Sequence, residues 1–256
     1  MKSAEGRALL KAEYLRFKEA VEELTGVTIY AIRLKKGIEI VNNKRKAVHR
    51  LSSLRKADPA PLSGLDALLI NQVFFYDDPI RFTDSVNKIC DELDKRIEKG
   101  EGVLPKGTSR ILISGCPMAV PNWKLPWIIE TSGAVFVGEE SCVGERGTRN
   151  LTDDSAGTVD ELMEAIVDRY FKVDCAIFTP NPDRLNHIEE MVKTFKADGV
   201  IHYGLQFCQP YLMESMSVEK SLEAKDIPML RIETDYSMED VEQLRTRVEA
   251  FMELIR

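Results

Sequence analysis

Five cysteines have the widest chemical reach in this chain: Cys90, Cys116, Cys142, Cys175 and Cys208. A thiolate is a nucleophile, a redox group or a soft metal ligand, so the spacing of the thiols limits what they can do together. Five is an odd number and the polar start MKSAEGR is no export signal, so the reading is a cytoplasmic protein without a disulfide framework. No CxxC pair occurs, which argues against a zinc finger or a ferredoxin-type run. Two readings stay open on spacing alone: a soft-metal site (iron-sulfur, zinc or copper(I)) assembled from distant segments, or thiols scattered through a core, where cysteine is at home.

The elements that carry these thiols narrow the choice. Up to about Glu101 the apolar spacing is helical, with Leu10, Tyr14, Phe17, Val21 and Leu24 on one stripe before a stop at Gly26. A second helix carries Val48, Leu51 and Leu54, and a third carries Val86, Ile89, Leu93 and Ile97. Cys90 falls on that third amphipathic helix and reads as a core thiol.

After GEGVLPKGTS the pattern changes to short apolar runs alternating with helices: RILISGC, WKLPWIIETSG, AVFVGEESC, TVDELMEAIVDRYF, VDCAIF, LNHIEEMVKTF, GVIHYGLQFC, YLMESMSVEKSLEAK and IPMLRIE. Thr158 and Glu161 have capping-box spacing, and Ser237 with Asp240 marks the start of a last helix. This beat predicts an α/β fold: a helical segment over residues 1–105, then a doubly wound parallel sheet of Rossmann-like or flavodoxin-like units over 106–256, with two sub-domains meeting near 172–184. Ligands of such sheets bind beyond the carboxyl ends of the strands. Cys116, Cys142 and Cys208 each close an apolar run and so fall at that edge, whereas Cys175 lies inside VDCAIF.

Composition excludes several classes. With 44% hydrophobic and 30% charged residues the chain is built like an ordinary globular protein, and a net charge of -7 offers no basic stripe for nucleic acid. No run is long and apolar enough for a membrane span. GVLPKGT lacks the lysine after its second glycine that a phosphate-binding loop requires, so ATP hydrolysis is not expected. Glu139 and Glu140, at the end of a strand before Cys142, read either as charged loop residues or as carboxylates able to move protons or hydrogen-bond a substrate. His49, His187 and His202 show no catalytic spacing, and Asn181 and Arg184 read as helix-start and loop residues.

The segments SGCP, GEESCVGERG, YFKVDCAIFTPNPDR, LQFCQPYLMES and IPMLRIETDYS followed by QLRTRVEAFMEL, in this order, resemble the family of 2-hydroxyacyl-CoA dehydratases and benzoyl-CoA reductases, of the 2-hydroxyglutaryl-CoA dehydratase D-component type. ELTGVTI, VNNKR and LRKADPAPLSG resemble the segment that precedes those motifs. The resemblance implies that Cys208 ligates an iron-sulfur cluster, and that Cys116, Cys142 and Cys175 join it as in the double-cubane branch. The cofactor implied is [4Fe-4S] or a double-cubane [8Fe-9S] cluster. The implied function is a component that takes low-potential electrons from an ATP-hydrolysing iron-sulfur activator and reduces a small substrate or an acyl-CoA thioester. A [4Fe-4S] subunit of a 2-hydroxyacyl-CoA dehydratase and a non-catalytic remnant are the alternatives. Full-length relatives begin with a further α/β domain that contributes cluster cysteines, so the expectation is either a separate subunit supplying it, within a homo- or heterodimer, or a chain that is a fragment with an incomplete cluster.

Overall fold

The structure is a computed structural model and describes residues 2–255. Four helices come first: α1 (Ala4–Thr25), α2 (Ala31–Leu54), α3 (Gly64–Val73) and α4 (Pro79–Glu98). Strands and helices then alternate as β1 (Arg110–Gly115), α5 (Lys124–Thr131), β2 (Val135–Glu140), α6 (Glu145–Thr148), α7 (Val159–Phe171), α8 (Pro182–Phe195), β3 (Gly199–Leu205), α9 (Gln209–Glu223), β4 (Met229–Thr234) and α10 (Val241–Leu254).

The strands form one parallel sheet in the order β2-β1-β3-β4. Every residue of β1 and β2 is buried, as expected of strands covered on both faces by crossover helices. Ile111, Ile113, Phe136 and Ile201 face α5 and α10, packing against Ile128, Val248 and Phe251. Leu112, Val135, Val137 and Val200 face the opposite way, onto Ile188 and Phe195 of α8 and Val218 and Leu222 of α9. The α/β, doubly wound reading therefore holds. Because the chain leaves β1 toward β2 and later returns to its other side as β3, the crevice between β1 and β3 is the topological switch point.

Among the early helices, α2 and α4 share a cluster of their own that includes Val48, Leu51, Phe82, Val86 and Cys90. Helix α1 stops at Gly26, in the left-handed conformation, but none of its residues is buried. Tyr14, Phe17 and Val21 of its stripe line an apolar groove against α2 and α7 instead of entering a core, and Phe17 and Leu24 stay exposed. Ion pairs from Arg7 and Lys11 to Glu164, together with Asp168 and Asp160, hold α1 to α7.

Two local expectations are corrected. VDCAIF forms no strand: residues 172–181 run as turns and bends between α7 and α8. Asp240 precedes α10 but makes no capping bond, because its carboxylate is taken by Lys124 and by the Thr234 hydroxyl. The Thr158–Glu161 capping box forms as read. No helix among the described residues is long and apolar enough to cross a membrane.

Candidate functional site

Strand β1 ends on Gly115, whose φ of 128° is open only to glycine and where a Cβ would lie 2.0 Å from the Tyr203 carbonyl oxygen of β3. This close approach lets the Cys116 N–H donate to that carbonyl at 2.9 Å, and the Cys116 side chain is buried beside β3. The Cys116 sulfur accepts the Leu205 N–H at 3.4 Å and meets the side chain of Cys208, which follows β3 and precedes α9. Burial pushes the Cys116 thiol up to about 12, and the Leu205 N–H works against that rise. A ligand role would require a metal to displace this proton to solvent.

Cys142 lies two residues past β2 and is exposed; its sulfur accepts Nη1 of Arg146 at 3.5 Å. The same Nη1 donates to the Tyr211 hydroxyl, which lies 3.6 Å from the sulfur of Cys175. The turn carrying Cys175 is fixed by Asn181, whose Nδ2 donates to the Asp174 and Cys175 carbonyls, both at 2.9 Å. Asn181 thus positions a thiol and caps no helix end. Beside it the buried Asp174 carboxyl, despite desolvation, is held below its ordinary range by Arg149 at 2.7 Å.

The four thiols therefore gather at one sheet edge in two pairs, Cys116 with Cys208 and Cys142 with Cys175, the second pair linked through Arg146 and Tyr211. Cys90 stands apart, sealed between α2 and α4. Among the described residues no three His, Cys, Asp or Glu side chains are grouped as donors to one metal ion. By chemistry the four thiols are soft donors, held here as two separate pairs.

The two glutamates end β2 and are not loop residues. Glu139 pairs with Arg55 at 2.9 Å and accepts from Asn71, while Glu140 takes Arg146 on Oε1 and Arg184 and Ser114 on Oε2. Each of their oxygens is engaged, as burial of a carboxylate demands. Arg184 is more than a helix-start residue: fully buried, it joins Glu140, Ser114 and Glu214. Sequence reasoning passed over Arg146 and Tyr211. Their only signal was position, four residues after Cys142 and three after Cys208.

A doubly wound parallel sheet with cysteines at the carboxyl edge of its strands defines a class, an α/β domain with a thiol-bearing strand edge. Comparison with known proteins supplies the family. The family model described as "2-hydroxyglutaryl-CoA dehydratase, D-component" matches residues 2–255. The chain belongs to the 2-hydroxyglutaryl-CoA dehydratase D-component family. It is similar to the putative dehydratase subunit YjiM of Escherichia coli (strain K12), 34% identical over 100% of this chain and 66% of the relative. It is also similar to the (R)-phenyllactyl-CoA dehydratase beta subunit of Clostridium sporogenes, 30% identical over 98% of this chain and 64% of the relative. With a benzoyl-CoA reductase subunit of Thauera aromatica it shares 22% identity over 96% of this chain and 62% of the relative. The chain thus spans slightly less than two thirds of the length of these relatives.

Proposed function

We propose that this chain is the thiolate scaffold of an iron-sulfur component that receives low-potential electrons, one at a time, from an ATP-hydrolysing activator and delivers them to a small substrate or an acyl-CoA thioester. The reading is supported above all by two thiol pairs near the carboxyl edge of the sheet, Cys116 with Cys208 and Cys142 with Cys175 through Arg146 and Tyr211. These four would hold the cluster, of the [4Fe-4S] or double-cubane type, and the cluster would supply one-electron chemistry that no side chain here offers. The protein's part is to fix the ligands. Gly115 brings β1 against β3, Asn181 holds the Cys175 turn, and Glu140 orients Arg146 and Arg184. We assign Glu139 and Glu140 to this positioning role, since neither has an oxygen free for a substrate.

The test is anaerobic preparation of the full chain, reconstitution with ferrous iron and sulfide, and assay of iron and acid-labile sulfide. Iron-loaded, coloured protein is expected, with uptake falling in Cys208→Ala and Cys116→Ala; a colourless, iron-free chain overturns the reading. Iron per chain then separates the cluster types, four for a single cubane and more for a double one.

A second reading, a subunit of a 2-hydroxyacyl-CoA dehydratase, is favoured by the similarity to the phenyllactyl-CoA dehydratase beta subunit. It predicts dehydration of 2-hydroxyacyl-CoA thioesters when partner subunit, activator and ATP are added. Absence of turnover with any such thioester leaves the reductase reading.

A further inference from the structure

Arg146 is 1% exposed, and its guanidinium is divided between two tasks. One edge is anchored to the Glu140 carboxylate, Nε at 2.8 Å and Nη2 at 2.6 Å, and Nη2 also reaches the Glu140 carbonyl at 3.2 Å. Nη1 remains for the opposite side, where it meets the sulfur of Cys142 and the hydroxyl of Tyr211. That hydroxyl accepts from Arg146, so its own hydrogen is free for the sulfur of Cys175 at 3.6 Å. The Tyr211 ring stands 5.3 Å from the guanidinium of Arg146 and 5.1 Å from that of Arg184, which fixes its direction.

Neutralising Glu140 does not account for this arrangement. Arg184 and Ser114 already engage the second oxygen of that carboxylate, and Arg146 spends a donor on sulfur. Arginine suits the task, being always charged, planar and rigidly forked. Hydrogen bonds to ligand sulfur and buried positive charge both favour the more negative, reduced form of an iron-sulfur group.

We propose that Arg146 is a positioning residue that sets the reduction potential of the thiol site, giving one hydrogen bond to Cys142 directly and one to Cys175 through Tyr211. The inference rests on the iron-sulfur reading above and assigns this relay a part that the ligand set alone does not specify. Without it, the electron accepted from the donor finds less compensating charge, and the site becomes harder to reduce.

The experiment compares the reconstituted full chain with Arg146→Met, Arg146→Lys and Tyr211→Phe, reading iron per chain and the reduction midpoint by potentiometric titration with electron paramagnetic resonance. Arg146→Met should keep its iron while its midpoint moves negative by at least a tenfold change in the reduced-to-oxidised ratio, about 59 mV for one electron. Arg146→Lys should recover part of that shift. Tyr211→Phe, which leaves the Arg146–Glu140 pair intact, should move the midpoint less and in the same direction. If Arg146→Met fails to fold, Tyr211→Phe decides. Iron-loaded variants with the wild-type midpoint overturn this inference alone, whereas a wild-type chain that takes up no iron overturns the cluster reading and this inference with it.

Discussion

The guanidinium of Arg55, at the end of α2, meets the carboxylate of Glu139, at the end of β2, at 2.9 Å, with both side chains almost wholly out of water. Arg55 also donates to the Phe136 carbonyl of the same strand. This contact ties the helical segment to the strand that leads to Cys142. Removing one partner leaves an uncompensated charge, so Glu139→Leu should cost about 3–5 kcal/mol in urea unfolding. The pair removed together, as Arg55→Met with Glu139→Leu, should cost less than the sum of the two single changes.

Gly115→Ala should be severe. The left-handed backbone disfavours any Cβ, and this one meets the Tyr203 carbonyl oxygen. The expected outcome is a loss of several kcal/mol in thermal or urea unfolding. Gly26→Ala, also at positive φ but with nothing within 4 Å of the new carbon, should cost only about 1 kcal/mol.

The cysteines should separate by reactivity. Iodoacetamide labelling of the metal-free chain, followed by mass spectrometry, should modify exposed Cys142 first. Cys90 and Cys116, buried and pushed up to about 11 and about 12, should react last. Cys90→Ala should leave iron uptake unchanged and cost on the order of 1–2 kcal/mol in stability, as removal of a small core group does.

Stability should fall on mild acidification through His202. Burial, with Arg184 nearby, holds this imidazole down to about 4 against an ordinary 6.5. Below pH 6.5 the unfolded chain takes up a proton that the folded chain refuses. The contribution is therefore whole above pH 6.5 and drains away as pH falls toward 4, by about 3 kcal/mol in all. His202→Gln should flatten the slope of unfolding free energy across that interval; an unchanged slope would refute this assignment.

Legibility in the sequence followed the range of the physics involved. Cys116, Cys142 and Cys208 could be placed because an apolar run leading to a thiol is a local pattern. VDCAIF misled because its composition suits a strand, yet its Asp174 and Cys175 carbonyls accept from the side-chain amide of Asn181, which lies beyond it. Glu139 and Glu140 read as loop or proton-carrying carboxylates because two carboxylates break an apolar run, yet both are buried in β2. The arginines that make their burial tolerable come from Arg55, Arg146 and Arg184, and two of these are remote in sequence. An arginine or tyrosine near a cysteine is unremarkable in one dimension, so Arg146 and Tyr211 emerged only in space. The stripe of α1 had correct helical spacing, but periodicity reports which side is apolar and not whether anything covers it.

The order of strands also governs the timing of assembly. Cys116 and the Leu205 amide that touches it are separated by 89 positions, and β3 must dock beside β1 before they meet. A ribosome releasing this chain would have finished the early helices and the first crossover while the pocket still lacked its opposite wall. Distant parallel pairings of this sort form slowly. Meeting of the Cys116 and Leu205 walls is therefore a late act of folding, and until then the thiols wait on separate parts of an unfinished molecule.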